Sequence, residues 1–409
     1  MGFNTALLHQ APSGDRATGA TLIPVYQSSA FGHESAEELE KIFENKAFGF
    51  SYTRINNPTV EAFEKKVTML EGGIGSVACA SGMAALSNAF LNILQAGDEI
   101  LSAPGLYGGT IDLFRDFEAF GIRTRYAAEN TPEAFEEGIS SRTRLIFAET
   151  IGNPKLDVTD ISGLSGVARK HGLPLIIDNT TATPFLVKAL ELGADIVVNS
   201  SSKYMNGNSD AISGILTDGG SYRWSKEKYP GFKDYVKLGK MAYIAKLRNS
   251  LFRNMGACLS PQNAFLNCIG LETLGLRMER QCLNALELAR FLEQLHAGIT
   301  VNYPGLKSSP YHDLAKQQFS SGYGGILTFR AGSKERAFRI INALKLPMIV
   351  SNIGDTKTLV IHPASTISLH CTAEEKLASG VYDDLIRVSA GIENIEDLKD
   401  DFEHALKGV

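Results

Sequence analysis

Short apolar runs alternate with stretches of helical spacing from Gly75 to Thr217, and this alternation is the strongest constraint that the sequence places on its fold. Six such runs lie at residues 76–80, 99–103, 123–127, 144–149, 174–177 and 195–198. Stretches with helical spacing lie at 83–94, 110–120, 161–171 and 185–192. Apolar strands separated by helices are typical of a parallel or mostly parallel sheet that is covered on both faces. In such sheets the ligand lies beyond the carboxyl ends of the strands.

The alternation ends after a further apolar run at 211–217, and a different pattern follows. A polar and aromatic connector spans 218–243, and two helical stretches come next, at 261–276 and 280–295. The rest of the chain mixes candidate strands and helices at 325–330, 334–344, 358–362 and 395–406. This mixture predicts a smaller α+β domain in the C-terminal part.

The first 60 residues differ from both parts because they lack a sustained apolar period and are rich in Ser, Gly, Asn and aromatic residues. We interpret them as an arm that packs on another surface, which we expect to be a neighbouring subunit. The predicted organisation is therefore an arm at 1–60, a large domain at 61–250 and a small domain at 251–409. A chain of 409 residues exceeds one ordinary hydrophobic core, which agrees with this division.

The composition is that of a globular protein, with 44% hydrophobic and 21% charged residues. A formal charge of −5 gives no reason to expect nucleic acid or an anionic membrane as a partner. The first 20 residues contain no apolar run of a secretory signal, and no apolar segment approaches the length that crosses a bilayer. Five widely spaced cysteines without a CxxC pair predict neither a disulfide framework nor a metal site, and they favour the reducing cytoplasm.

Lys203 follows the apolar run at 195–198, within the stretch DIVVNSSSKYMNGNSDAISG. A lysine at the carboxyl end of a buried strand lies in the ligand crevice of a parallel sheet. The neighbouring hydroxyls of Ser200 and Ser202 could donate hydrogen bonds to phosphate oxygens. A solvated loop lysine is the ordinary alternative, and for Lys203 taken alone it is the favoured one.

Asp178 ends a second apolar run, within the stretch PLIIDNT. A carboxylate is costly there unless it meets a cation. A pyridinium nitrogen would be such a cation, and the aspartate would keep it protonated so that the ring can accept electrons. The alternative is an aspartate that caps the next turn through a backbone N–H. Asp178 and Lys203 lie 25 residues apart, which is enough for a helix and a return strand, so both would emerge at the same edge of the sheet.

A phosphate would need further donors, and the stretch ASGMA at residues 80–84 lies between a strand and a helix. The free N–H groups of a helix start can face an anion, and Gly82 would permit a close approach of the backbone. A plain strand-to-helix turn explains the same residues equally well.

Three further motifs combine a chemical role with an ordinary alternative. Arg387, in the apolar run LIRVS, suits a bidentate clamp on the α-carboxylate of an amino acid, or else an internal salt bridge. Tyr107, in LYGGT, could lie face-on to a ring or pack in the core. Tyr52 and Arg54 pair a hydroxyl with a guanidinium in the arm, and a surface position is the default for both.

Eight motifs occur in an order that resembles the Cys/Met-metabolism family of pyridoxal-phosphate enzymes. They are YTRINNPT, ASGM, LYGGT, ETIGNPKLDVTDI, IIDNTTATP, SSSKY, GDTKTLVIHPAS and IRVSAGIENIEDL. The similarity extends over most of the chain, roughly from Tyr52 to Leu406. The resemblance implies the type I aminotransferase-like α/β fold of these enzymes, with a mostly parallel sheet covered by helices and a smaller α+β C-terminal domain. It also implies a homotetramer built from active dimers.

The resemblance implies a role for each candidate residue. Lys203 would carry pyridoxal 5′-phosphate through a Schiff base, Asp178 would pair with the pyridine nitrogen, and Tyr107 would stack on the ring. The phosphate would be held by Gly82, Met83, Ser200 and Ser202, together with Tyr52 and Arg54 from the neighbouring subunit. The substrate carboxylate or the ring hydroxyl of the cofactor would be bound by Asn153, Ser351, Asn352 and Arg387.

Within the family, the C-terminal half is most similar to the branch of O-acetylhomoserine sulfhydrylases. The similar stretches are AYIAKLRNSLFRNMGACLSPQNAFLNCIGLETLGLRMER and SNIGDTKTLVIHPAST. This branch implies a γ-replacement on O-acetyl-L-homoserine with sulfide or a small thiol, giving L-homocysteine or methionine and acetate.

Cystathionine γ-synthase and methionine γ-lyase activities stay open as alternatives, as does a silent binding protein on the same fold. Gly109 stands where methionine γ-lyases carry a cysteine, which disfavours the lyase. Asn199 and Asn208 stand where histidines are frequent in the family. A silent protein would be expected to lack Lys203 or Asp178, and both are present.

Overall fold

The computed structural model describes residues 1–15, 17–295 and 297–408. It contains two β-sheets, a seven-stranded sheet in the first part of the chain and a five-stranded sheet in the C-terminal part. The predicted fold class is confirmed, because the large sheet is mostly parallel with helices packed on it and the second sheet belongs to a smaller domain.

Seven strands form the large sheet, and most of them end at the same edge. Its strands are β1 (Gly75–Cys79), β2 (Glu99–Ser102), β3 (Arg123–Tyr126), β4 (Thr143–Glu149), β5 (Leu175–Asp178), β6 (Ile196–Asn199) and β7 (Gly214–Asp218). Their order in the sheet is β1-β7-β6-β5-β4-β2-β3. Only β7 runs antiparallel to its neighbours β1 and β6, so the other strands all end at one edge.

In the described residues, eleven α-helices lie before residue 274. They are α1 (Phe3–His9), α2 (Ala36–Phe43), α3 (Pro58–Glu71), α4 (Gly82–Leu91), α5 (Gly108–Glu118), α6 (Pro132–Gly138), α7 (Ile161–Lys170), α8 (Thr183–Leu186), α9 (Ala242–Asn249), α10 (Leu251–Met255) and α11 (Pro261–Glu272). Two short 3₁₀ segments, Pro230–Phe232 and Val236–Met241, lie in the connector after β7.

The small sheet has the strand order β10-β11-β12-β9-β8. Its strands are β8 (Thr300–Asn302), β9 (Ile326–Arg330), β10 (Met348–Ile349), β11 (Leu359–Ile361) and β12 (Leu385–Ser389). The helices of this part are α12 (Leu274–Gln294), α13 (His312–Gln318), α14 (Lys334–Ala343), α15 (Ala373–Ala378) and α16 (Ile395–Lys407), with a 3₁₀ turn at Pro363–Ser365. Among the helices in the described ranges, none is both long and apolar enough to span a membrane.

Every apolar run of the sequence is a strand, with ends that shift by one to three residues from the prediction. The helix predicted at 185–192 is wrong, because the chain is helical only at Thr183–Leu186. The side-chain amide of Asn179 donates to the carbonyl of Val187 at 2.9 Å, and Val187 itself has extended backbone angles. This hydrogen bond is made by a residue whose backbone is no longer helical, and the helix ends before it. The helices that were not predicted are α1, α2, α3, α6, α9, α10, α13 and α15.

Two hydrophobic cores follow the two sheets. The first surrounds the large sheet and reaches Cys282 on α12, and the second begins at Ala285 on the same helix and includes Phe402 of α16. Helix α12 therefore belongs to both cores and joins the two parts of the protein. The domain bounds at 61–250 and 251–409 stay a prediction.

The arm is only partly packed on its own chain. Leu7 of α1 is fully buried in the first core, whereas α2 buries none of its residues. The arm also exposes aromatic side chains, namely Phe43, Phe48 and Tyr52. Large exposed apolar groups on one segment are typical of a surface that contacts another molecule. The contact with a neighbouring subunit stays a prediction.

Asn199 at the end of β6 binds a buried acid. Its side-chain amide donates to Oε1 of Glu71 at 2.7 Å, and the Glu71 side chain is fully buried. Burial raises the pKa of Glu71 to about 7, although the hydrogen bond from Asn199 acts in the opposite direction. The protonated form of this carboxyl is therefore favoured by folding.

We expect Glu71→Gln to change how stability depends on pH. Since the folded pKa lies above the ordinary value of 4.5, the stabilisation is complete below that pH and is lost as the pH rises through about 7. The loss corresponds to about 3 kcal/mol in the wild type and is absent in the glutamine variant. The unfolding temperatures of the variant and the wild type should be measured at pH 5 and pH 8. Between these pH values, the unfolding temperature of the variant should rise relative to that of the wild type.

Glu137→Gln is the matched control, because it removes an exposed carboxyl on α6. Its unfolding temperature should follow that of the wild type at both pH values. A constant difference between Glu71→Gln and the wild type across this pH range would contradict the assignment.

Candidate active site

A cavity of about 410 Å³ lies at the carboxyl edge of the large sheet. It is lined by residues that follow β1, β4, β5 and β6, by the starts of α4 and α5, and by residues of the small domain. The predicted site residues on its wall are Gly82, Met83, Tyr107, Asn153, Asp178, Ser200, Ser202, Lys203, Ser351, Asn352 and Arg387. The fold thus brings together eleven residues that are dispersed along the sequence.

Lys203 lies in the turn that follows β6 and lines the cavity. Nζ donates to Oδ1 of Asn352 at 2.5 Å. Burial, assisted by the nearby charge of Arg387, lowers the pKa of Lys203 to about 8. In the described part of the chain no carboxylate forms an ion pair with this amine. Lys203 is therefore not the solvated loop lysine of the alternative interpretation.

Asp178 and Glu149 end two neighbouring strands and face each other in the register of β4 and β5. Oδ1 of Asp178 accepts from the backbone N–H of Thr180 at 2.9 Å, so the capping role and the cavity position are both present. Oε1 of Glu149 accepts from the backbone N–H of Tyr107 at 2.7 Å. Burial raises the pKa of Asp178, and burial together with the charge of Asp178 raises that of Glu149 well above its ordinary value.

A buried and a half-buried carboxyl group side by side favour the binding of a cation. A protonated pyridine nitrogen fits this need, because it would supply one positive charge and one N–H donor. Glu149 was not identified from the sequence. The signal was present, since Glu149 ends the apolar run LIFAE in the same way that Asp178 ends LIID.

The start of α4 offers donors for an anion. The side chain of Ser81 caps the backbone N–H of Ala84 at 3.0 Å, so the N–H groups of Gly82 and Met83 in the first turn are left for a ligand. A Cβ atom at Gly82 would lie 2.6 Å from Cβ of Ser200, which explains why this position is a glycine. The close approach brings the Ser200 hydroxyl beside the helix start. This arrangement fits a phosphate.

The second predicted serine is already engaged with the backbone. The Ser202 hydroxyl donates to the carbonyl of Ser213 at 2.9 Å and accepts from its N–H at 2.7 Å. It could donate to a phosphate only by giving up the first of these bonds. Its role as a phosphate ligand stays a prediction.

Arg387 is buried in the middle of β12, with 3% of its surface exposed. Nη1 donates to Oδ1 of Asn153 at 3.0 Å, and Nη2 donates to the carbonyl of Asn352 at 2.9 Å. Nε has no hydrogen-bond partner, and within the described residues no acidic side chain pairs with this guanidinium. The internal salt bridge that the sequence left open is therefore not formed. Burial lowers the pKa of Arg387 to about 10, so it remains a cation at neutral pH.

The remaining candidates divide between the cavity and the surface. Tyr107 begins α5 and lines the cavity with 37% of its surface exposed, so it is not a core residue. Tyr52 and Arg54 do not line the cavity of their own chain. The Arg54 guanidinium lies 5.5 Å from the Tyr52 ring centroid and donates to the carbonyl of Arg253. A contact of these two residues with a phosphate would require a second chain.

The arrangement of a partly buried lysine, paired acids, a helix start and a buried arginine defines a pyridoxal-phosphate enzyme that binds an amino acid. Residues 4–407 match the family described as Cys/Met metabolism PLP-dependent enzymes. The chain belongs to this family. Its cofactor is therefore pyridoxal phosphate.

Two curated relatives match almost the entire chain. The O-acetyl-L-homoserine sulfhydrylase of Leptospira meyeri is 40% identical and covers 99% of this chain and 96% of its own length. The O-acetyl-L-homoserine sulfhydrylase of Corynebacterium glutamicum is 41% identical and covers 100% of this chain and 97% of its own length.

Solved structures share the fold over its full length. A candidate O-acetylhomoserine (thiol)-lyase from Campylobacter jejuni has a TM-score of 0.95 and 34% identity, covers 100% of both chains and carries a pyridoxyl-lysine phosphate. A cystathionine γ-lyase from Lactobacillus plantarum, in complex with L-serine, has a TM-score of 0.86 and 32% identity and covers 100% of this chain and 99% of its own.

We expect Gly82→Ala to weaken cofactor binding. The added Cβ would lie 2.6 Å from Cβ and 2.7 Å from Oγ of Ser200, so the helix start and the serine must move apart. Overpacking of this kind costs about 1–3 kcal/mol, which corresponds to a roughly 10- to 100-fold rise in the dissociation constant. The measurement is titration of the cofactor-free protein with pyridoxal phosphate, followed by visible absorbance.

Gly166→Ala provides the matched control, since a Cβ on this α7 glycine meets nothing within 4 Å. This variant should bind the cofactor as the wild type does. Unchanged binding in Gly82→Ala would show that the start of α4 does not hold the phosphate.

Proposed function

We propose that the chain catalyses γ-replacement on O-acetyl-L-homoserine with sulfide or a small thiol, giving L-homocysteine or methionine and acetate. The observation that carries the proposal is the convergence of Lys203, Asp178 and Arg387 in one cavity. The same cavity belongs to a chain that is 40–41% identical, over nearly its whole length, to two O-acetyl-L-homoserine sulfhydrylases.

Bound pyridoxal phosphate supplies an electron-withdrawing ring that stabilises negative charge at Cα of an amino acid. Asp178 holds a proton at the pyridine nitrogen, because a buried carboxylate favours an adjacent cation. Glu149 lies beside Asp178 at the end of β4, and its raised pKa favours a protonated carboxyl, so the negative charge of the pair is left to Asp178. Tyr107 covers the cavity from the start of α5.

Lys203 removes the proton from Cα of the substrate. An ordinary lysine is almost fully protonated at neutral pH, but a pKa of about 8 leaves an appreciable fraction as the free amine. Arg387 binds the α-carboxylate through a guanidinium that has no acidic partner in the described chain. The fixed carboxylate orients the substrate, so that Cα faces Lys203. Loss of the γ-acetoxy group as acetate and addition of sulfide at Cγ then give homocysteine.

Position 109 supports replacement over γ-elimination. A Cβ atom at Gly109 would lie 2.6 Å from Cε1 of Tyr107, so a side chain at 109 would require the Tyr107 ring to move. The family resemblance implies that methionine γ-lyases carry a cysteine at this position. The observed position of the Tyr107 ring is therefore compatible with Gly109 and would have to change for a cysteine.

The assembly proposed is a cytoplasmic homotetramer of active dimers, in which each arm completes the site of its neighbour. The support is the exposed face of the arm and the position of Tyr52 and Arg54 away from their own cavity. In the described part of the chain the Arg54 guanidinium donates to a backbone carbonyl and pairs with no acidic side chain, so it is suited to bind a phosphate held in the site of a second chain.

Product analysis tests the activity. Purified protein given O-acetyl-L-homoserine and sulfide should form homocysteine and acetate in equal amounts, since one acetoxy group leaves for each sulfide added. Sulfide-dependent acetate release should exceed release in the presence of cysteine, and release without a nucleophile should be small. Chromatography of the amino acids and ketoacids identifies each product.

Lys203→Ala should abolish turnover and the visible absorbance of the lysine-bound cofactor, whereas Lys237→Ala removes an exposed lysine and should leave both unchanged. Cystathionine as the main product with cysteine would identify a cystathionine γ-synthase instead. A ketoacid as the main product without a nucleophile would identify a γ-lyase.

Mixing two inactive variants tests the shared site. Lys203→Ala and Arg54→Ala should each be inactive, the first without its base and the second without the phosphate contact of the arm. In a hybrid dimer, one site carries both substitutions and the other carries neither. Coexpression should therefore restore about one quarter of the wild-type activity, since half of the dimers are hybrids with one intact site. No recovery above the separate variants would show that Arg54 serves its own subunit or no site.

A further inference from the structure

Lys203 is connected to the small domain through a line of three side chains. Nζ donates to Oδ1 of Asn352, and Nδ2 of the same amide lies 2.8 Å from the hydroxyl of Ser209. That hydroxyl in turn bonds to Oδ2 of Asp355. The line therefore runs from the cavity to a carboxylate that is itself buried, with 4% of its surface exposed.

The carboxylate at the far end is ionised. Burial acts against the charge of Asp355, but hydrogen bonds from Ser209 and from the backbone N–H and ammonium of Lys357 outweigh it, so the pKa lies below its ordinary value. An ionised carboxylate can only accept hydrogen bonds. The single proton of the Ser209 hydroxyl must therefore point to Asp355.

The direction of each remaining bond follows from that proton. Ser209 has no second hydrogen to give, so it accepts from Asn352, and the NH₂ end of the amide must face the serine. The carbonyl end of the amide then faces Lys203. The lysine nitrogen can meet this oxygen only as a donor, which leaves the lone pair of the neutral amine outside the bond.

We infer that Asn352 receives the ε-amine of Lys203 whenever that amine is not bonded to the cofactor, and that Ser209 and Asp355 are positioning residues that keep the carbonyl end of the Asn352 amide toward it. The backbone of Asn352 is fixed as well, because its carbonyl accepts from Nη2 of Arg387. The inference rests on Lys203 carrying the cofactor and is independent of the sulfur donor.

The backbone conformation of Ser209 is a second observation in favour of a role for its hydroxyl. Its φ of 59° lies in the left-handed region, where a side chain costs about 1 kcal/mol relative to glycine. A serine at such a position is expected where the hydroxyl has a task. The hydrogen bonds to Asn352 and Asp355 identify that task.

Other charged and titratable groups also face the lysine, and their effects are the same in every variant below. They are Arg387 from β12, Asp178 and Glu149 from the ends of β5 and β4, and Tyr107 from the start of α5. Since none of them contacts Ser209, a change at Ser209 tests the line through Asn352 alone.

The test follows Lys203 as it leaves and returns to the cofactor. The holoenzyme is mixed with glycine, which displaces the lysine and has no γ substituent to lose. For neutral amines and unprotonated imines, one C=N bond would form as another breaks, and two protons would pass from the glycine nitrogen to the lysine nitrogen. Stopped-flow absorbance between pH 6 and 9.5 gives the rates of departure and return and the pH midpoint of the return.

We expect Ser209→Ala to slow the return of Lys203 roughly tenfold, because the freed Asn352 amide can rotate and bind the lysine lone pair through its NH₂ group. The midpoint should move to lower pH, since an NH₂ donor disfavours the ammonium. Ser209→Gly should behave alike, because it removes the same hydroxyl while relieving the backbone. Asn352→Asp should move the midpoint to higher pH, since a carboxylate stabilises the ammonium.

Thr356→Ala is the matched control, because Thr356 also donates a hydroxyl to Asp355, at 3.3 Å, but to the oxygen that Ser209 does not contact. It should keep the wild-type rates and midpoint. Return rates and midpoints of the Ser209 variants within twofold of this control would overturn the inference. If the absorbance of the wild-type protein does not respond to glycine, the cofactor role of Lys203 is overturned as well. The response of the wild type therefore distinguishes failure of the cofactor role from failure of the inference about Ser209.

Discussion

Four ionisable side chains meet at the carboxyl edge of the large sheet without forming ion pairs with one another. Lys203 and Arg387 hold their positive groups on polar amides, and Asp178 and Glu149 hold their carboxyls on backbone N–H groups. Each group is thus kept in place by neutral partners, and the charges of Lys203, Arg387 and Asp178 are left without a counter-charge among the four. Isolated charges are costly in a buried site, and a cofactor and an amino acid that carry the opposite charges would remove that cost.

The two asparagines in this arrangement separate groups that could otherwise interact. Asn153 and the backbone of Asn352 hold the Arg387 guanidinium, and the Asn352 side chain holds the Lys203 amine. An aspartate at either position would pair with the nearest cation and compete with the ligand for it. Neutral amides orient these cations and leave their charge for the substrate and the cofactor.

The main parts of the fold and the ends of the central strands could be predicted from the sequence, because strand polarity and apolar periodicity are local properties. Lys203 and Asp178 were identified in this way, since each follows a buried strand. Glu149 ends a buried strand in the same way as Asp178, so the same signal was present in the sequence although Glu149 was not identified from it. The bond between Lys203 and Asn352 could not be predicted, because these residues are far apart in sequence and meet only when the small domain packs on the sheet.

The reversed strand β7 decides when the cofactor site can form. It lies between β1, which leads into the start of α4, and β6, which leads into the turn of Lys203. Residues 75–79 therefore pair with residues 214–218, across a long stretch of intervening chain. Closing so large a loop is entropically unfavourable and slow compared with local contacts. On the ribosome, a growing chain can bring the start of α4 beside the turn of Lys203 only after β7 has emerged, so these two segments meet late in the synthesis of the central sheet.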